Sequence, residues 1–116
     1  MADHNVTLMY AKDGFQANPS QIKVRPGQTI GFSLADGSLQ GQIRILFEQR
    51  QFFATKRAKF KEDGVFFGDD GDVKVKEALS APTSYECELL DDQGEVIARS
   101  PKKKGGDILP DTLGGD

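Results

Sequence analysis

Apolar and polar residues alternate along most of this chain. In Val6-Thr7-Leu8-Met9-Tyr10 the side chains of Val6, Leu8 and Tyr10 fall on one face, and Ile22 and Val24 flank Lys23 in the same way. Ile30, Phe32 and Leu34 alternate with Gly31 and Ser33, and Ile43, Ile45 and Phe47 with Gln42, Arg44 and Leu46. Val73 and Val75 enclose Lys74, and Tyr85, Cys87 and Leu89 alternate with Ser84, Glu86 and Glu88. Successive side chains of a strand point to opposite faces, so each run predicts a half-buried strand with one wet side. Helical spacing is nowhere sustained long enough to compete.

Turn chemistry falls between these runs. Lys12-Asp13-Gly14, Pro26-Gly27, Asp36-Gly37, Asp69-Asp70-Gly71 and Asp92-Gln93-Gly94 each offer a residue that tolerates positive φ or one that fixes φ. Strands punctuated in this way every roughly eight to twelve residues predict an all-β, Greek-key β-sandwich of about seven or eight strands. The clearest hairpin runs from Ser84–Leu90 through a turn at Asp91–Gly94 into Glu95–Ser100. The expected core is Val6, Leu8, Ile22, Val24, Ile30, Phe32, Ile43, Ile45, Phe47, Val73, Val75, Tyr85, Cys87 and Val96. Residues 49–68 resist the pattern: Gln51 to Phe60 reads equally as an irregular strand or a short helix, and Val65-Phe66-Phe67 as an extended piece lying on the core. The sandwich domain is expected over 1–101. Residues 102–116 read as a flexible tail, because glycines and charges outnumber apolar side chains there.

Composition narrows the classes. The chain has 116 residues, 37% of them hydrophobic, with one cysteine, one histidine and no tryptophan. A lone cysteine forms no internal disulfide, and a single core of this size needs none. No apolar run approaches the roughly 20 residues that cross a bilayer, and Met1-Ala2-Asp3-His4-Asn5 resembles no export signal. The expectation is a cytoplasmic protein that does not enter a membrane; an exported domain trimmed of its leader and given a Met-Ala start would read identically.

Charge is segregated. The net charge of −3 divides into a neutral stretch over 1–43, +5 over 44–61 and −8 over 62–116. The positive block interleaves cations with aromatic rings: Arg50, Phe52, Phe53, Lys56, Arg57, Lys59 and Phe60. Cations attract phosphate and aromatic faces stack on unpaired bases, so single-stranded nucleic acid is one candidate ligand. A protein with an acidic surface fits the same block. In the simplest alternative the phenylalanines point inward and the cations guard an edge strand against aggregation.

Phe15-Gln16-Ala17-Asn18-Pro19-Ser20-Gln21-Ile22-Lys23-Val24-Arg25-Pro26-Gly27-Gln28-Thr29-Ile30-Gly31-Phe32 resembles the opening of cupredoxins, the blue-copper electron carriers, in which a Phe-x-Pro segment leads to a strand, a Pro-Gly turn and a second strand. Tyr85-x-Cys87, a loop, and Gly94-x-Val96 resemble their closing copper loop, and the likeness spans residues 6–100. It implies a cupredoxin-like and, more loosely, immunoglobulin-like sandwich. Blue-copper sites use two histidines, a cysteine and a weak axial methionine. At the position of the first histidine this chain has Gly41-Gln42, the second is replaced within Leu89-Leu90-Asp91, and no methionine stands near Gln93. Only Cys87 of the four ligands is present, so the resemblance implies the scaffold without copper or another cofactor.

The remaining chemistry is thin. Cys87 shares the expected inward face with Tyr85 and Leu89, where a thiol is inert; a divergent redox or metal role for it is the competing reading. His4 is a lone terminal histidine. Glu62-Asp63 and Asp69-Asp70-Gly71-Asp72 lack the ligand spacing of a calcium loop and read as solvated turns. No nucleophile elbow, phosphate-cradling loop or His-Glu-x-x-His helix occurs. The sequence predicts a non-catalytic, metal-free module that binds a macromolecule, with a protein as the leading reading and single-stranded nucleic acid as the alternative, through Arg50, Phe52, Phe53, Lys56, Arg57 and Lys59.

Overall fold

The alternating runs form strands, and more of them than the spacing of turns suggests. The computed structural model describes residues 3–12, 14–55, 64–67, 72–101 and 105–111. Its strands are β1 (His4–Ala11), β2 (Gly14–Asn18), β3 (Gln21–Val24), β4 (Thr29–Leu34), β5 (Gln42–Phe47), β6 (Phe53–Thr55), β7 (Val65–Phe67), β8 (Val73–Val75), β9 (Thr83–Leu90), β10 (Val96–Arg99) and β11 (Gly106–Pro110). The expected seven or eight become eleven because β2, β6 and β11 lie in stretches whose alternation is too short or too broken to mark a strand.

The strands form two sheets, one of five strands in the order β2-β1-β4-β8-β6 and one of six in the order β3-β11-β9-β5-β7, with β10 also beside β9. The fold is an all-β sandwich. The chain passes from the first sheet to the second between β2 and β3, where the Asn18–Pro19 peptide bond is cis. Aromatic rings join the layers: Phe32 of β4 meets Phe67 of β7 and Tyr85 of β9 edge-to-face, with centroids 4.9 and 5.0 Å away. Phe47 of β5 stacks on Phe53 of β6 at 4.5 Å. Such contacts add to the area they bury.

β9 is the hub of the second sheet. One edge pairs with β5 from Tyr85 to Leu90, and the other is divided between β11, opposite Thr83–Tyr85, and β10, opposite Glu88–Leu90. β10 and β11 therefore lie end to end. Asp91 Oδ1 fixes the hairpin into β10 by accepting from the Gln93 and Glu95 amides, both at 2.9 Å, and Gly94 takes the positive φ (82°) that the turn requires.

Three expectations need correction. Val96 is half-buried rather than core, because β10 is a short edge piece with a register shift between Val96 and Ala98. Of the segment read as strand or helix, the described part holds a single 3-10 turn at Arg50–Phe52 followed by β6, and residues 56–60 lie outside the described residues. The tail expected from residue 102 is not a tail over Gly106–Pro110. There the chain enters the sheet between β9 and β3, with Ile108 fully buried. Its glycines serve close approach instead of mobility. A Cβ on Gly105 would stand 2.5 Å from Cys87 Sγ, and one on Gly106 would stand 2.5 Å from Tyr85 Oη.

Candidate functional site

Of the six residues picked out in the basic block, the described ones do not form an aromatic surface. Arg50 is exposed, Phe52 is partly buried against the core, and Phe53 is 2% exposed under Phe47. Lys56, Arg57 and Lys59 lie outside the described residues, as do Phe60, Glu62, Asp63, Asp69 and Asp70. Two of the faces invoked for base stacking therefore belong to the interior. Arg44, the first cation of the block, is also committed: its guanidinium grips Glu88, with Nε 2.7 Å from Oε1, and lies over the Phe66 ring at 5.7 Å.

Cys87 is fully buried on the inner face of β9. Burial pushes its thiol well above the ordinary value of 9.0, the neighbouring Tyr10 hydroxyl opposes that, and Glu86 adds to it. The Tyr10 hydroxyl makes no well-formed hydrogen bond to any described group. Burial likewise drives the Tyr10 and Tyr85 phenols upward, so all three remain protonated at neutral pH. His4, at the start of β1, is tied to Gln28 Oε1 at 2.8 Å. Among the described residues no three histidine, cysteine or acidic side chains cluster in a way that could hold a metal.

The most developed surface feature lies elsewhere. The only large apolar side chains left exposed among the described residues are Leu39 (44%) and Ile97 (48%), and both open onto one groove of about 450 Å³. Its walls are Ala11 at the end of β1 with Lys12 just after it, the start of β2 (Gly14, Phe15), Leu39, and Ile97, Ala98 and Arg99 of β10 with Pro101 beyond. The groove thus runs between an outer strand of each sheet, β2 and β10, neither of which carries a further strand among the described residues.

Each wall is held in place. Leu39 sits in the 35–41 loop, which is bound to β1 by the Ala35 amide on Leu8 O (2.8 Å) and the Leu39 amide on Tyr10 O (2.9 Å). The buried Ser38 hydroxyl accepts from the Tyr10 amide at 2.9 Å and donates to Leu39 O at 3.0 Å. Phe15 rests edge-to-face on Tyr10 at 5.0 Å. Ile97 is the extra residue at the register shift of β10, and a bulge of this kind re-aims a side chain out of the ladder. Arg99 is anchored by Nε at 3.1 Å from Glu88 Oε2 while its side chain stays 63% exposed.

The groove is consequently a fixed apolar trough with cations at its margin. Covering the exposed halves of Leu39 and Ile97 is worth about 2 kcal/mol at the usual yield per buried area. Sequence reading passed over these residues for identifiable reasons. Leu39 is a lone apolar residue inside Asp36-Gly37-Ser38-Leu39-Gln40-Gly41, and Ile97 in Val96-Ile97-Ala98 breaks the alternation without announcing a bulge. An unpaired leucine in a polar loop was the available signal.

No protein-family model matches this chain, and neither does any curated protein or solved structure. The fold and the groove define the class, a two-sheet β-sandwich with an apolar trough between sheet edges, and the functional reading rests on them alone.

Proposed function

We propose that this chain is a non-catalytic, metal-free binding module on a cupredoxin-like sandwich, and that it holds a protein partner in the groove between β1–β2 and β10. The observation that carries this is the convergence of Leu39 and Ile97 on one trough. Isolated exposed apolar residues are ordinary, but two on separate, rigidly held segments facing one concavity are the pattern of an interaction site. The cupredoxin likeness is supported by the Pro26-Gly27 turn joining β3 to β4 and by Cys87 preceding the Asp91–Gly94 hairpin. The contact surface moves from the basic-aromatic block to the groove because Phe53 is buried and Phe52 packs against the core.

The test uses the whole chain as bait in native extract, followed by reconstitution with the purified partner. Leu39→Ser/Ile97→Ser is expected to lose the partner while keeping the thermal midpoint. A reconstituted partner that binds the double variant as tightly as the parent would overturn the assignment, as would a bait that retains only polynucleotide.

A further inference from the structure

Resting on that reading, we infer that the segment held in the groove is an extended, carboxylate-bearing peptide that adds as a strand to the outer edge of β10. Three observations converge on this occupant.

The first is topological. β11 and β10 continue one another along β9, and β11 carries β3 on its outer edge, paired from Gln21 to Val24. Beyond β10 no strand pairs among the described residues, so its outer edge carries no ladder. The groove lies along that edge, with Gly14 and Phe15 of β2 on its far wall.

The second is the direction of the backbone groups. The Ser100 amide bonds to Cys87 O at 2.9 Å, toward β9. Along a strand these groups alternate in direction, so the amide of Arg99 faces the groove. β10 offers a short edge of four residues, interrupted by the bulge at Ile97, and peptides that add to such edges gain affinity from main-chain bonds and specificity from alternate side-chain pockets. Leu39 and Ile97 line the places where those side chains would settle.

The third is charge. The described lining contains Lys12 and Arg99 and no carboxylate, while Asp13 at the turn lies outside the described residues. Glu88 is shared by Arg44 and Arg99, so this cluster of two cations and one anion keeps one positive charge at the end of the groove. A carboxylate on an entering peptide completes it. A helix cannot continue the ladder, and an oligonucleotide supplies neither the main-chain bonds nor the carboxylate.

The probe is a displayed library of random eight-residue peptides selected on the full chain. Enriched peptides are expected to alternate apolar residues with Asp or Glu. A selected peptide, made synthetically and titrated by fluorescence anisotropy, should weaken about tenfold against Lys12→Glu or Arg99→Glu and recover when its acids are exchanged for lysine. N-methylation of its alternate amides should abolish binding, and the bound peptide should slow hydrogen exchange at the Arg99 amide. Enrichment of basic or helical peptides, binding indifferent to N-methylation, or equal enrichment on Ile97→Asp would overturn the inference. If Leu39→Ser/Ile97→Ser loses the reconstituted partner while that partner leaves Arg99 exchange unchanged, strand addition falls and the groove reading stands. If the double variant keeps the partner, both fall.

Discussion

Arg44 and Glu88 stand directly opposite one another on β5 and β9, and Arg99 reaches the other oxygen of the same carboxylate from β10. The three form a row across three strands on the outer face of the sheet, with Glu88 only 6% exposed. A nearly buried carboxylate between two guanidiniums is sensitive to the removal of its own charge, which leaves like charges together. Glu88→Gln is expected to lower the unfolding free energy by about 3 kcal/mol, whereas Arg99→Ala, at the exposed end, should cost less than about 1 kcal/mol. Chemical denaturation of both variants checks the order; a larger loss for Arg99→Ala would show that the row is not organised around Glu88.

Cys87, Tyr10 and Tyr85 predict an alkaline limit to stability. Each has a folded pKa raised by burial, so the folded chain keeps protons that the unfolded chain releases. Stability is then fully present below the unfolded values and falls as pH rises past about 9, where the unfolded cysteine ionises first, by up to about 1.4 kcal/mol per pH unit for each group. Cys87→Ala should shift the onset upward toward the tyrosine range. In the parent at pH 8, a thiol reagent should label Cys87 only at the rate of unfolding. Labelling as fast as free cysteine would contradict its placement.

Ile108 tests the last strand. Ile108→Ala removes a fully buried side chain between β9 and β3 and should cost about 2–5 kcal/mol. Gly106→Ala should also destabilise, because the added methyl meets Tyr85 Oη and Ser20 O. If thermal midpoints are unchanged in both, β11 does not belong to the sheet.

Phe53 and Arg50 separate core from surface within the former basic-aromatic candidate. Phe53→Ala should lose about 3–5 kcal/mol through the empty space beside Phe47, and Arg50→Glu should stay within about 0.5 kcal/mol of the parent. Equal, small effects would return Phe53 to the surface.

Much of the sandwich was legible because strands with one dry face write their period into the sequence. Val6, Leu8 and Tyr10, then Ile43, Ile45 and Phe47, then Tyr85, Cys87 and Leu89 all point inward as their alternation predicts. β11 was illegible because Gly105-Gly106 reads as flexibility, whereas tight contact with Tyr85 and Cys87 is what requires it. The groove was illegible for a different reason. It is made where a β10 bulge, the Ser38-pinned loop and the β1–β2 turn converge, and no single stretch of sequence carries that meeting.

The junction of β3 with β11 also governs how this chain must be assembled. Arg25 and Asp111, which clasp its end at 3.0 Å, are 86 positions apart. As synthesis proceeds from the N-terminus, Ile22 and Val24 are made early and wait without their neighbouring strand until residue 110 emerges. Partnerships of such long range slow folding. Until then that stretch has an open edge, the kind to which other β-forming chains can add.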